Sequence, residues 1–364
     1  LGVSSICWGR ITTQHLLLRL AEWGTKAVPK AVKRLIGLTG LLIIVSMVTF
    51  GAMNFLGDPL FNILGPVAAD VDNPESLKAI EEAKAQYHLD KSLPERWARW
   101  AWDFVRGDFG VQFSSSGQPP VSDLIKERLP RTLELMAVAQ IIAVSIAIPW
   151  SVLAASRANR RTDKISTVTA FAFVSIPSFA MAVILFYFFS VQWDFLPDTY
   201  TATDPFWGFS HDHRLIQLIL PGFTLGLGSA AAYQRLLRTD LITTLQQDFI
   251  LMAKSKGVSK RRVLYSHALR PSLFSMITLL AINIGFMIGG SLVVEQFFRI
   301  PGIGSAVVEA TLREDFPVVL AVVMIVSAGF MVFNYLADYL YTLIDPRVRN
   351  EDTSKPRKVT SMGM

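Results

Sequence analysis

Residues 272–294 read SLFSMITLLAINIGFMIGGSLVV, 23 positions without a charged side chain. At about 1.5 Å per residue, a helix of that length crosses the ~30 Å hydrocarbon core of a bilayer. Outward from it in both directions, five more uncharged runs occupy residues 35–57, 135–155, 165–193, 215–234 and 317–337. The pattern predicts an all-α membrane protein with six transmembrane helices. Composition agrees: 51% of the 364 residues are hydrophobic and 18% charged, against about 25% charged in soluble domains. A soluble enzyme, a disordered chain and a secreted disulfide scaffold are excluded. Solid apolar runs, rather than alternation, also argue against a β-barrel.

The net charge is +6. Alternating sides at each run puts residues 1–34, 156–164, 235–271 and 338–364 together, with 23 of the 35 Lys and Arg. Short loops decide orientation, because long segments translocate largely regardless of charge. Loop 156–164 carries Arg157, Arg160, Arg161 and Lys164, whereas the short loop 194–214 carries Arg214 against Asp194, Asp198, Asp204 and Asp212. Both termini are therefore expected in the cytoplasm. The basic excess is topological, and no nucleic-acid partner is expected. The single cysteine, Cys7, allows no disulfide within the chain and no thiolate metal site. Leu16-Leu17-Leu18 is too short for the apolar region of a signal peptide, so no cleaved leader is expected; Leu1 in place of Met points to a trimmed or alternative start.

Residues 1–34 form a polar-basic arm. Leu16, Leu17, Leu20 and Trp23 share a helical face followed by Lys26, Lys30 and Lys33, the pattern of an interfacial helix or of a loosely ordered tail. The first span, 35–57, leads into a long outer loop, 58–131. There Asn73-Pro74 signals a helix start. A second helix near Pro94 stripes Trp97, Trp100 and Phe104, either against the outer ends of the spans and the headgroups or toward an external partner. A third helix runs from Val121 into the second span. Residues 132–349 hold the remaining five spans, and 350–364 form a cytoplasmic tail. Pro149, Pro177 and Pro221 lie inside runs, where neighbouring helices can satisfy the freed carbonyls. The fourth span, with Gly222, Gly226, Gly228, Ser229 and three alanines, reads as a close-packing face.

Reactive chemistry is scarce at depth. No Asp, Glu, Lys, Arg or His falls within the six runs; Glu134, Glu295 and Asp338 stand at their edges, where water is near. A proton-coupled pump would normally carry a buried carboxylate. Gln140, Asn283 and Asn334 are the central polar groups, read either as interhelical hydrogen bonds or, for Gln140 and Asn283, as lining of a polar path. His211 and His213 flank Asp212 but form a weak metal motif, and no metal site is assigned. No G-x-x-x-x-G-K-[ST] occurs, so the chain cannot itself cradle ATP phosphates. A stand-alone secondary carrier or membrane enzyme is the rival class, and the lack of ionisable groups in the spans weighs against it.

The informative loop is 235–271. Residues near 243–256 are expected to form a short amphipathic helix with Phe249, Met252, Ala253 and Lys256 on one face, behind Asp248. Gly257 can take the left-handed conformation that ends a helix. Held between two spans, such a helix is either a solvated basic loop or a knob that transmits force from a soluble partner.

At this loop the chain resembles the inner-membrane permeases of ATP-binding-cassette (ABC) importers. The Ala253…Gly257 spacing, followed by His267-Ala268-Leu269-Arg270-Pro271, matches that family's "EAA" loop, although its Glu is absent. Asp248-Phe249-Ile250, Ala253 and Lys256-Gly257 are similar to the D-Y-V-x-x-A-x-A-K-G pattern of the dipeptide/oligopeptide/nickel group. Further matches to its B-type subunit follow in order. They are Gly57-Asp58-Pro59, Tyr87-His88-Leu89-Asp90, Gly107-Asp108-Phe109-Gly110 and Pro130-Arg131-Thr132-Leu133-Glu134-Leu135. Then come Val294-Glu295-Gln296-Phe297 with Ile300-Pro301-Gly302-Ile303-Gly304, and the closing Asp345-Pro346-Arg347-Val348-Arg349. The likeness covers about residues 30 to 349. It implies a prokaryotic cytoplasmic-membrane permease for di- or oligopeptides, or for nickel or another small solute. It also implies pairing with a second permease, cytoplasmic ATPases that bind ATP and Mg and receive loop 235–271, and an external binding protein. No cofactor is implied in this chain. Glu295, Pro301, Gly302 and Gly304 would help shape the outer mouth, unless they form a plain Pro-Gly turn.

Overall fold

The structure, a computed structural model, describes residues 36–55, 59–70, 72–113, 117–197, 200–201 and 213–344. The arm, the tail, Gly57-Asp58, His211-Asp212 and the closing Asp345-Pro346-Arg347 motif lie outside the described residues.

Among the described residues there is no β-strand, only one isolated bridge between Val111 and Pro120. Among the described residues five helices are long and apolar enough to cross a membrane, or six spans if a bent pair counts as one: α1 (Ile36–Phe55), α5 (Val121–Ser156), α8 (Arg214–Thr244), the rod Lys260–Phe298 and α13 (Phe316–Ile344). The rod ends in the long helix α11 (Leu269–Phe298) after a short helix α10 (Lys260–Arg262) and a π-helical turn over Val263–Ala268. The third uncharged run differs from its expected form. It is two helices, α6 (Arg161–Ser175) and α7 (Ser178–Phe186), bent by 104°. Pro177 causes the break: Ile176 adopts an extended conformation, with φ −80° and ψ 120°, as the residue before a proline prefers. Pro130 and Pro149 in α5 and Pro221 in α8 leave their helices continuous.

The bundle is built around α5 and α8. A Cβ on Gly226 would stand 2.7 Å from the Ala139 carbonyl oxygen, and one on Gly222 would stand 2.8 Å from Val138. Absent side chains thus let the two backbones close, the usual device where lipid offers no hydrophobic drive. At one end of the bundle, helices α2 (Pro59–Leu64), α3 (Pro74–Gln86) and α4 (Leu93–Val105) form a cap. Asn73 accepts a hydrogen bond from the Glu75 amide at 3.0 Å, with Pro74 in the first turn. Trp97 and Trp100 turn inward against a core of Phe50, Met53, Val121 and Phe316, and Trp97 Nε1 donates to Ser46 Oγ at 3.1 Å. The tryptophan stripe therefore packs on the ends of α1, α5 and α13.

Candidate functional site

At the other end, α8 stops at Thr244 and the short helix α9 (Asp248–Ser255) begins after a turn. It is shorter than the helix expected near 243–256, because residues 243–244 complete α8. The acidic Asp248 stands in the first turn, favourable to the helix dipole. Its C-terminus is a Schellman motif: Gly257, at φ +76°, donates to Lys254 O at 3.0 Å, and Val258 donates to Ala253 O at 3.2 Å.

The expected face is split. Ile250 is fully buried in a cluster with Leu237, Leu241, Val263 and Ala268, and Ala253 and Val258 pack beside it. Phe249, Leu251 and Met252 point outward, 46%, 54% and 57% exposed. Lys254 on α9, Lys256 at its end, Lys260, Arg261 and Arg262 just beyond it and Arg270 at the start of α11 are all exposed; His267 is half-buried in the π-turn. The result is a pinned helix with exposed apolar side chains, in a segment rich in exposed basic residues. Ile250 is the residue that the sequence reading missed. Apolar side chains on both faces of α9 hide which one turns inward, and only its spacing to Ala253 hinted at an anchor.

Glu295 does not stand at a wet edge. It is fully buried near the far end of α11. Its carboxylate accepts from Thr132 Oγ1 at 2.7 Å and from the Ser305 amide at 3.0 Å, while Thr132 Oγ1 accepts from the Ile303 amide at 2.8 Å. The N-terminus of α12 (Ile303–Leu312) thus closes over the carboxylate. Gly302 and Gly304 are also buried: a Cβ on Gly302 would collide with the Glu295 carboxyl group, and one on Gly304 would stand 2.6 Å from Leu292 Cα. Pro301 is partly exposed.

The two central amides separate. Gln140 is buried and clasps two helices: Tyr233 Oη donates to its Oε1 at 3.0 Å, and its Nε2 contacts Met287 Sδ at 3.0 Å. Asn283 instead lines a cleft of about 280 Å³ beside the Pro177 break, together with Phe173, Ser178, Thr224, Gly228 and Ser229. There Ser229 Oγ donates to Asn283 Oδ1 at 3.1 Å. Asn334 bonds back to Phe330 O in its own helix.

Residues 147–350, which include the cleft, α9 and all of the Glu295 knot except Thr132, match the family described as the inner membrane component of binding-protein-dependent transport systems. The chain belongs to that family. Among its relatives are an oligopeptide transport system permease protein, AppB, of Bacillus subtilis (strain 168) and a glutathione transport system permease protein, GsiC, of Escherichia coli (strain K12). The first is 36% identical over 80% of this chain and 90% of its own length. The second is 34% identical over 87% and 98%. The protein is thus a multi-pass inner-membrane permease component of an ABC importer and not itself an enzyme. Permeases of this family work with ATPase and substrate-binding partners. The permease positions its polar groups sparingly. An ion pair, Arg238 with Asp163 at 2.6 Å, joins α8 to α6 close to the α9 end, and Arg235 stacks on Phe171 at 4.0 Å.

Proposed function

We propose that this permease imports peptide-type solutes, in line with the oligopeptide and glutathione cargo named for its relatives, and that α9 is the lever through which ATPase subunits drive it. One observation carries the reading: Ile250 pins α9 to the bundle while Phe249, Leu251 and Met252 stay about half exposed in a segment rich in exposed Lys and Arg. Exposed apolar side chains of this size on a helix held from behind suit a protein partner. ATP and Mg would be bound by that partner.

In this reading both termini and loop 235–271 face the cytoplasm, and the 58–131 cap and the Glu295-Pro301-Gly302-Gly304 turn face outward toward a binding protein. A second, homologous permease completes the pathway, with Asn283 and Ser229 in its wall. ATP-driven closure of the ATPases pulls the α9 helices together and switches the pair between inward-open and outward-open states, each stabilised by different contacts.

The test is Gly257→Pro. Proline holds φ near −65° and cannot take the +76° of the Schellman turn. Uptake of labelled peptide should vanish while the protein stays in the membrane. Normal uptake by that variant removes α9 from the mechanism.

A further inference from the structure

A second cleft, of about 230 Å³, lies where α1 and α13 meet the cap, far from both α9 and the Asn283 cleft. Its floor is apolar, made by Phe50, Met53, Phe316 and Leu320, with Trp100 and Phe109 in the wall. Its rim is charged. Arg96, Arg99 and Asp103 recur at three- and four-residue steps on one stripe of α4, and Asp108 follows. The Arg96 guanidinium stands 5.9 Å from the Phe50 ring centre, Arg99 pairs with Glu95 at 3.1 Å, and Asp108 accepts from the Gly110 amide at 3.0 Å. Trp100 Nε1 is buried without a hydrogen-bond partner among the described residues.

Three features narrow the ligand. The floor joins two spans, so it lies at the membrane interface, whichever side the cap faces. The rim offers cations and anions a few residues apart, which suits a headgroup carrying both signs. The span beside it is thinly held: 17% of the apolar window of α1 is buried by the rest of the chain, against 44% for α13.

We propose that this cleft binds a zwitterionic phospholipid of the phosphatidylethanolamine class. The upper part of an acyl chain lies on Phe50, Met53 and Leu320, the phosphate meets Arg96 and Arg99, and the ammonium turns toward Asp103 and Asp108. Arginine suits phosphate through paired, charge-assisted donors. The lipid would staple α1 to the cap.

The assembled importer, purified in mild detergent, would be incubated with phosphatidylethanolamine vesicles or with phosphatidylglycerol vesicles and read by native mass spectrometry. One phosphatidylethanolamine should be retained per copy of this chain. Arg96→Ala with Arg99→Ala should weaken retention about tenfold, the scale of a lost charge-assisted contact. Leu320→Trp, which fills the floor, should remove the lipid without touching the rim. Equal retention of phosphatidylglycerol overturns the headgroup assignment, and retention unchanged in both variants overturns the site. A disulfide from Arg99→Cys to a cysteine of another subunit, formed while no lipid is retained, assigns the cleft to that subunit instead.

Discussion

The two ends of the rod Lys260–Phe298 solve opposite problems. At one end the Glu295 carboxylate of α11 is answered inside the chain, by a hydroxyl from α5 and a backbone amide from α12. At the α9 end three large apolar side chains stay about half exposed, and the basic residues of the same segment are exposed too. A satisfied, buried polar knot fixes helices relative to one another. An uncovered apolar patch on an anchored helix does the reverse, since it gains most when something else arrives. Within one chain, the first end behaves as a brace and the second as a handle.

The largest effect should come from breaking the brace. Glu295→Ala leaves the Ser305 amide without its acceptor and takes from the Thr132 hydroxyl its carboxylate partner. Unmade buried hydrogen bonds cost about 1–3 kcal/mol each, so a loss of ~4 kcal/mol is expected, visible as a sharp fall in membrane-inserted protein and in the melting temperature of the purified complex. Glu295→Gln keeps an acceptor oxygen and should retain much of both. If Glu295→Ala accumulates and melts like the parent, the knot is not a brace.

The handle should respond in the opposite sense. Phe249→Ser with Met252→Ser removes apolar surface that stays exposed among the described residues. Protein level should hold while solute-dependent ATP hydrolysis and uptake fall about tenfold or more, as burial of a side chain of this size contributes roughly 1.5–3 kcal/mol to a contact. Ile250→Ala, one residue from Phe249, should instead lower stability by about 2–4 kcal/mol, because it empties a fully buried site. Should both variants act alike, α9 has no division between anchor and contact surface.

These contrasts also mark what a one-dimensional reading reaches. The membrane spans are legible because absence of charge over twenty residues is a local property. The fate of a proline is not: Pro149 and Pro221 lie within helices packed along one another, whereas Pro177 breaks its run at the edge of a cleft. Which outcome follows depends on neighbours that can supply lost hydrogen bonds. Glu295 looked like an edge residue since it follows an apolar run; its burial comes from Thr132, 163 positions earlier, and from a helix that folds back over it. In α9 the Gly257 stop was legible from residue type alone. The inward turn of Ile250 needed the third dimension, since its partners Leu237 and Val263 come from the helices on either side.

The smallest effect concerns the middle of the bundle and asks whether it resembles the brace or the handle. Gln140 is enclosed between Tyr233 and Met287, and Gln140→Leu should alter stability with little selective change in uptake. The Ser229–Asn283 bond borders an open cleft. Interhelical hydrogen bonds in membranes average about 0.6 kcal/mol, so Ser229→Ala should leave protein level unchanged and shift the concentration for half-maximal uptake by no more than about threefold. Ser229→Leu adds bulk without charge at the same position and, if solute passes there, should block uptake at normal protein level. Full uptake by Ser229→Leu would mean that this cleft is a packing defect and that the pathway runs elsewhere between the helices.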